Sequence, residues 1–243
     1  MSIVGPGPGP ANKDIYNNNA KNFSAQENYD NFNNFIFSND IKIIGKLLYR
    51  YDFFNKTKHL PGDIVEIGVF KGSGVASFLK FLDIHCSNSI KKVIGFDIFD
   101  PENSSIVLEK DNENDKQKMQ DVYSRVDVND RTLENVTTKL KNIKDNFILV
   151  EGDVEQTLPK FTRENPGFRI SLLYIDVDIE RPTYNALKYL WDRVVPGGMI
   201  VFDEYEYHKF SESSGVDRFM KEQNITLNLI STNWMSPTCY VIK

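Results

Sequence analysis

Two pairs of carboxylates give the sequence its clearest chemical signal. Asp176 and Asp178 follow one short apolar run, and Asp203 and Glu204 follow the next one along the chain. Oxygen ligands suit hard divalent cations such as Mg²⁺ or Mn²⁺, which keep positions open for water or substrate. Asp176, Asp203 and Glu204 could therefore bind one ion, which would lower the pKa of a coordinated hydroxyl. Alternatively, some of these acids cap the helices that follow.

The same region contains candidates for a general base. Asp178 lies two residues beyond Asp176, so in an extended segment both side chains would face the same way. We therefore expect Asp178 to take a proton from a bound hydroxyl, with Asp176 beside it. His208 is an alternative base, although a single histidine near a loop is more often a surface residue. Arg181 and Lys209 could contact an anionic acceptor or simply balance the acids.

A glycine-rich segment at residues 66–74 could hold a cofactor that contains adenosine. Its glycines follow the spacing G-x-x-x-G-x-G, and glycine lets backbone approach a ligand closely. Asp97 ends the next predicted strand, where a carboxylate can accept hydrogen bonds from both ribose hydroxyls. Asp153 could accept from an adenine amino group, or be a turn residue only. The candidate cofactor-binding residues are Glu66, Gly68, Gly72, Ser73, Gly74, Asp97 and Asp153.

Alternating strands and helices would bring these residues to one edge of a sheet. Strands are predicted at 63–68, 92–97, 147–150, 170–175 and 199–202, and helices at 39–54, 75–82, 132–143, 154–161, 181–191 and 216–222. The alternation predicts a mainly parallel sheet covered on both faces, with ligands beyond the carboxyl ends of its strands. Two final strands, 225–230 and 238–242, should pair antiparallel because their connection is short. The charged segment 100–130 is expected to be a loop with a helix, inserted into this pattern.

The N-terminal residues differ from the rest of the chain. Glycine and proline alternate at residues 5–10, and an asparagine-rich stretch between Phe23 and Phe37 contains five aromatic residues. We expect residues 1–38 to form a flexible arm whose rings pack on the main domain, or else a lid. Residues 39–243 would be the catalytic domain. The aromatic residues also favour a homo-oligomer, because so many rings are seldom left in water.

Composition narrows the class of protein. The chain has 243 residues, 40% of them hydrophobic, and a net charge of −5 with no basic block, so a nucleic-acid partner is not expected. No apolar run approaches the length of a membrane span, and no secretory signal is visible. The two cysteines lie far apart and form no zinc spacing. We therefore expect a cytoplasmic protein with a small-molecule substrate.

Five segments of the chain resemble the macrocin O-methyltransferase family, a branch of the class I methyltransferases. They are residues 63–74, 95–100, 151–159, 172–178 and 196–205. The resemblance implies a Rossmann-like α/β fold with a seven-stranded, mainly parallel sheet, a final antiparallel hairpin and helices on both faces. It also implies S-adenosylmethionine and Mg²⁺ as cofactors and a sugar hydroxyl as acceptor, with Asp176, Asp203 and Glu204 as metal ligands and Asp178 as base. Glu204 departs from the family's usual aspartate, and residues 180–183 depart from its usual segment.

Three other functions are compatible with parts of the sequence. A methyltransferase acting on a catechol-like or other small hydroxylated acceptor would use the same residues. A nicotinamide-dependent oxidoreductase is less consistent with the glycine spacing and the final antiparallel pair. A catalytically idle binding module is less consistent with the four intact acids. If the metal hypothesis is correct, removing divalent ions with EDTA should abolish methyl transfer and spare cofactor binding.

Overall fold

A seven-stranded sheet organises residues 24–243, the part of the chain that the computed structural model describes. Its strands are β1 (Asp63–Ile67), β2 (Val93–Asp97), β3 (Phe147–Glu151), β4 (Ile170–Ile175), β5 (Val194–Phe202), β6 (Ile230–Ser231) and β7 (Cys239–Ile242). They lie in the order β3-β2-β1-β4-β5-β7-β6. Strands β1 to β5 are parallel, and β7 is antiparallel to both β5 and β6. The predicted fold class is confirmed.

Helices cover both faces of this sheet. In the described residues they are α1 (Ala25–Phe37), α2 (Lys42–Thr57), α3 (Ser73–His85), α4 (Pro101–Leu108), α5 (Glu113–Ser124), α6 (Leu133–Lys141), α7 (Val154–Glu164), α8 (Glu180–Leu190) and α9 (Glu212–Gln223). One core cluster packs Leu158, Leu187 and Val216 of α7, α8 and α9 against the sheet. A second cluster packs Phe54 and Phe78 of α2 and α3 against the other face. Burial on both sides explains the continuous apolar runs of the central strands.

The strand order reverses at β1, and this creates a crevice at its carboxyl end. From β1 the chain adds β2 and β3 on one side, and then β4 and β5 on the other. Just beyond the strands, the backbone N–H of Asp176 donates to the carbonyl oxygen of Ile67 at 2.8 Å. Gly68 has φ +91°, and a Cβ there would lie 1.9 Å from the carbonyl oxygen of Asp176. Glycine is therefore required for the two strand ends to approach so closely.

Three segments differ from the sequence predictions. Residues 101–131 contain helices α4 and α5 and a 3₁₀ turn at Val128–Arg131 rather than one helix in a loop. These helices are held beside the strand ends because Leu108 and Met119, two of their few apolar residues, pack against Ile179. The strand predicted at 225–230 is reduced to β6, and β5 begins five residues earlier than the predicted start at 199.

The described part of the N-terminal segment is helical. Ser24 caps α1 in a reciprocal arrangement with Glu27, which satisfies backbone N–H groups at the helix start. In α1 the side chains of Tyr29, Phe32 and Phe37 are exposed, and that of Phe35 is half-buried. The glycine-proline run and the rest of residues 1–23 lie outside the described residues, so the arm and lid predictions are not tested. Within residues 24–243, each helix is too short or too polar to cross a membrane.

Candidate active site

A cavity of about 500 Å³ lies beyond the carboxyl ends of β1, β2, β4 and β5. Most of the residues singled out in the sequence border it. They are Glu66, Gly68, Ser73, Gly74, Asp97, Asp153, Asp176, Asp178, Asp203 and Glu204, together with Arg181. Gly72, His208 and Lys209 do not border it. The sheet topology thus brings the glycine-rich segment and the two acid pairs to one space, as the positions of the predicted strands required.

The glycine-rich segment forms one end of the cavity. Gly72 has φ +90° and lies at the N-cap of α3, so it shapes the turn rather than facing a ligand. Gly74 makes room for a side chain, since a Cβ there would lie 1.8 Å from Glu66 Oε1. The loop therefore needs its glycines for two different reasons, one conformational and one steric.

Asp97 holds this loop in place. Its Oδ2 accepts hydrogen bonds from the backbone N–H groups of Val69 at 2.8 Å and Phe70 at 2.7 Å, and its Oδ1 accepts from Ile98 at 2.6 Å. Phe70 adopts φ +54°, a left-handed conformation that a residue with a side chain rarely takes. A carboxylate has about four acceptor positions, so Asp97 retains capacity for a ribose hydroxyl. The sequence did not reveal its role in supporting the loop.

Glu66 is a buried acceptor at the same end of the cavity. Its Oε1 accepts from Arg50 Nη2 at 2.9 Å, whereas its Oε2 has no hydrogen-bond donor among the described residues. Burial raises the pKa of this carboxyl to about 7 although Arg50 opposes the shift. An unpartnered buried carboxylate oxygen beside a glycine loop suits the ammonium group of an amino acid. The residues present therefore fit S-adenosylmethionine, which combines such a group with adenosine.

Asp153 is mainly structural. Its Oδ1 accepts from the backbone N–H of Glu155 at 3.1 Å, which makes it the N-cap of α7. Its Oδ2 accepts from Lys110 at 2.8 Å and from Arg181 Nη1 at 3.0 Å. Burial tends to raise its pKa, but these hydrogen bonds hold the pKa below its usual value. The turn interpretation thus accounts for Asp153 better than adenine recognition, because cationic partners already occupy the carboxylate.

Arg181 ties the segment with α4 and α5 to the rest of the domain. Its guanidinium binds both carboxylate oxygens of Asp111, with Nε to Oδ1 at 2.8 Å and Nη2 to Oδ2 at 3.0 Å. It also pairs with Asp153, with Nη1 3.0 Å from Oδ2. Two parallel hydrogen bonds from a guanidinium fix geometry as well as charge. Arg181 therefore balances acids of this chain and is not free for an acceptor.

A lysine lies between two of the acids that the sequence assigned to a metal ion. Lys46 Nζ is 2.9 Å from Asp176 Oδ2 and 2.8 Å from Asp203 Oδ2. Arg50, four positions later and thus on the same side of α2, donates to Asp176 Oδ2 at 3.2 Å. Burial tends to lower the pKa of Lys46, but Asp176 and Asp203 raise it above its usual value. Neither Lys46 nor Arg50 was predicted from the sequence to be a site residue.

Asp203 is the most fully satisfied of the four acids. It is 1% exposed, and beside Lys46 it accepts from Tyr174 Oη at 2.7 Å and Ser236 Oγ at 2.6 Å. Burial alone would raise its pKa, but Lys46 and these two hydroxyls hold the pKa below its usual value. Asp203 therefore stays ionised at neutral pH while buried.

The arrangement of these acids does not fit the predicted Mg²⁺ or Mn²⁺ ion. Within residues 24–243 no group of three or more His, Cys, Asp or Glu residues is placed to hold a metal. The facing oxygens of Asp176 and Asp203 are bound to Lys46 instead. Glu204, the third predicted ligand, has its pKa raised to about 8 by burial and by repulsion from Asp203 and Asp178. The metal prediction is thus unsupported, because a cation from α2 already neutralises the oxygens that an ion would need.

Asp178 borders the cavity beside Asp176, but its backbone is not in the extended conformation that the sequence suggested. The segment is not extended here: Asp178 has φ +64°, in the left-handed region. Residues other than glycine seldom adopt this conformation, and those that do cluster at active sites and ligand-binding segments. Burial and the charges of Asp176 and Asp203 raise its pKa to about 7, against the opposing effect of Lys46 and Lys42. No described residue donates a hydrogen bond to this carboxylate, so it is available to a ligand.

Comparison with known proteins identifies the family. The family model for macrocin-O-methyltransferase (TylF) matches residues 55–240. A structure of the calicheamicin methyltransferase CalS11 has 19% identity and a TM-score of 0.68, covering 95% of this chain and 90% of that one. The O-methyltransferase NovP has 21% identity and a TM-score of 0.65, covering 81% and 78%. No curated protein matched the sequence.

These similarities agree with the geometry of the cavity. A second CalS11 structure, described as a TDP-rhamnose 3′-O-methyltransferase, has 21% identity and a TM-score of 0.63 over 90% of this chain and 87% of that one. At such identities the structural likeness establishes the fold, and the family match establishes the class of enzyme in place of a nicotinamide-dependent oxidoreductase. The chain belongs to the macrocin-O-methyltransferase family and is an S-adenosylmethionine-dependent O-methyltransferase.

Proposed function

We propose that the enzyme methylates a hydroxyl of a sugar or of a glycosylated small molecule. The principal support is that the glycine-rich segment, Asp97 and Asp178 border one cavity, and that the Asp178 carboxylate accepts no hydrogen bond from the described residues. The acceptor class is suggested by the family name and by CalS11, described as acting on TDP-rhamnose. The cavity is also large enough for a small-molecule ligand, since such sites commonly measure 300–1,000 Å³.

The residues divide between two tasks. Glu66 and Asp97 would bind the ammonium and ribose groups of S-adenosylmethionine, while Gly68 and Gly74 leave room for it. When bound there, S-adenosylmethionine would supply an electrophilic methyl group for transfer to the acceptor oxygen. Asp178 takes the proton of the acceptor hydroxyl, and its raised pKa of about 7 suits a base at neutral pH.

The segment with α4 and α5 would exclude water from this reaction. Leu108, Met119 and Tyr123 border the cavity from that segment. The bidentate pair between Arg181 and Asp111 holds it against α8. Removal of water strengthens the interaction of a charged base with its substrate. We propose that this segment also contacts the acceptor, because the glycine-rich segment and Asp97 serve the cofactor.

The test is methyl transfer from isotopically labelled S-adenosylmethionine to a panel of acceptors. The panel contains nucleotide-activated sugars, glycosylated aglycones and, for the competing acceptor class, catechols. We expect mass spectrometry to place the label on a sugar oxygen, and we expect the Asp178→Asn variant to produce far less product while still binding cofactor. Transfer to catechols alone would contradict the sugar assignment but leave the methyltransferase assignment intact.

We also propose that the chain forms a homo-oligomer through the surface of α1 and α2. Several apolar side chains there are exposed, among them Phe32, Phe37, Ile41 and Leu48. So many exposed large apolar side chains on two consecutive helices favour an interface between copies.

A further inference from the structure

We propose that Lys46 replaces the divalent cation in this enzyme, so that methyl transfer proceeds without Mg²⁺. The inference rests on the proposed function for the identity of the reaction, but its structural basis is independent. Lys46 Nζ contacts Asp176 Oδ2 and Asp203 Oδ2 at 2.9 and 2.8 Å. A single cation between carboxylates from two neighbouring strand ends is the position that the sequence had assigned to a metal ion.

Three of the four carboxylate oxygens of Asp176 and Asp203 accept hydrogen bonds from donors of this chain. Asp203 accepts three hydrogen bonds: Lys46 and Ser236 both donate to Oδ2, and Tyr174 donates to Oδ1. Asp176 Oδ2 accepts from Lys46 and Arg50. A Mg²⁺ ion needs oxygens at 2.0–2.1 Å in near-octahedral geometry. It would have to displace the half-buried lysine and leave its ammonium group without these two carboxylate partners, which is unfavourable.

Helix α2 supplies as much positive charge as the ion would. Lys46 and Arg50 contribute two unit charges to the cluster of Asp176, Asp203 and Glu66. Both side chains are fixed by the helix, which is anchored in the core through the fully buried Phe54. Repulsion between the carboxylates is therefore relieved by covalently attached cations, and the cluster does not require a diffusible one.

Lys46 is also able to contact the acceptor. An ammonium group has three N–H donors, and only two of them find acceptors within the described residues. Lys46 borders the cavity close to Asp178. We assign the third donor to the acceptor oxygen, so that Lys46 orients the hydroxyl and stabilises the charge that develops on it. Lys46 keeps its protons throughout, and the hydroxyl proton goes to Asp178.

Binding of Mn²⁺ to the full-length protein, followed by electron paramagnetic resonance, tests the substitution without any acceptor. Wild type should bind no Mn²⁺ at the site at millimolar concentrations, whereas Lys46→Ala should gain one ion per chain. The matched control is Lys56→Ala, because Lys56 lies on the same helix but pairs with Asp52 at the surface. One tightly bound Mn²⁺ in wild type would overturn the proposal, and so would a folded Lys46→Ala protein that gains none. If Lys46→Ala does not fold, Mn²⁺ binding to Lys46→Asn, compared with Mn²⁺ binding to wild type, tests the proposal in the same way.

Activity provides the second measurement. Wild-type turnover should be unchanged by EDTA, and Lys46→Met should lower kcat by roughly a hundredfold while S-adenosylmethionine still binds. Added Mg²⁺ should restore part of the activity of Lys46→Ala but not affect wild type. Loss of wild-type activity in EDTA would refute the role of Lys46. If no sugar acceptor is methylated, the proposed function fails, whereas the Mn²⁺ result stands on its own.

Discussion

Replacing Asp97 with alanine should weaken the fold as well as cofactor binding. The Asp97 carboxylate accepts from the backbone N–H groups of Val69 and Phe70, at 2.8 and 2.7 Å. These bonds hold Phe70 at φ +54°, a conformation that costs free energy in any residue but glycine. Asp97 therefore has a structural role in the loop in addition to its proposed role at the ribose.

The size of the effect follows from the number of bonds lost. A hydrogen bond to a charged acceptor contributes about 1.5–3 kcal/mol to stability, and partial exposure of Asp97 favours the lower end of this range. The two loop bonds together therefore contribute about 3 kcal/mol, and the local bond to Ile98 is readily replaced by water. For a chain of this length, about 3 kcal/mol corresponds to a fall in Tm of roughly 6–12 °C.

Urea denaturation without cofactor measures the structural part, and calorimetric titration with S-adenosylmethionine measures the binding part. Asp97→Ala should lower the free energy of unfolding by about 3 kcal/mol and weaken cofactor binding by at least roughly tenfold. Asp63→Ala is a suitable control, because its carboxylate accepts from one exposed backbone N–H, that of Lys92, away from the cavity. Equal stability of wild type and Asp97→Ala would refute the role in the loop, and equal affinity would refute the role at the ribose.

Three further predictions follow from the same site and surface. Asp178→Asn should reduce kcat by roughly a hundredfold with little change in cofactor affinity. Wild-type kcat/KM should rise as pH increases through about 7, because only the ionised Asp178 carboxylate can take a proton. A flat pH profile in steady-state assays would argue against this base. Gly68→Ala should lose about 3 kcal/mol of stability in urea, since its Cβ would meet the Asp176 carbonyl oxygen, whereas Gly167→Ala, with open space around it, should behave as wild type. Light scattering should give a mass above that of one chain, and deletion of residues 1–38 should reduce it; a single-chain mass for the full protein would contradict the proposed oligomer.

The strand-end residues were predictable because sheet topology alone places them. Each parallel strand has an apolar, β-branched sequence that ends in an acid or a glycine, and parallel strands align their carboxyl ends. Gly68, Asp97, Asp176 and Asp203 therefore had to lie at one edge whatever the details of packing. The roles of the acids were less predictable, since hydrogen bonds to Val69 or from Lys46 depend on side-chain positions that periodicity does not fix.

The two helices α4 and α5 beside the cavity could not be predicted from the sequence of residues 100–130, because apolar residues are sparse there. Leu108 and Met119 are buried against Ile179, but charged neighbours hide their spacing in the sequence. The conformation of Asp178 was also misjudged, because the sequence suggested an extended segment and this residue is left-handed, although it borders the cavity beside Asp176. A positive φ at a residue other than glycine has no reliable signature in a single sequence.

The position of Lys46 explains why resemblance to the family predicted the acids but not their counter-charge. The family match begins at residue 55 and includes all the strand ends, whereas Lys46 and Arg50 precede it. They enter the cavity because α2 packs against the sheet through Phe53 and Phe54, which fixes the helix face that meets the acids. The matched residues therefore include those that we propose for cofactor binding and for the base, while the preceding helix supplies the cations beside Asp176 and Asp203. A requirement for metal consequently depends on what α2 presents to the acids and cannot be inferred from the acids alone.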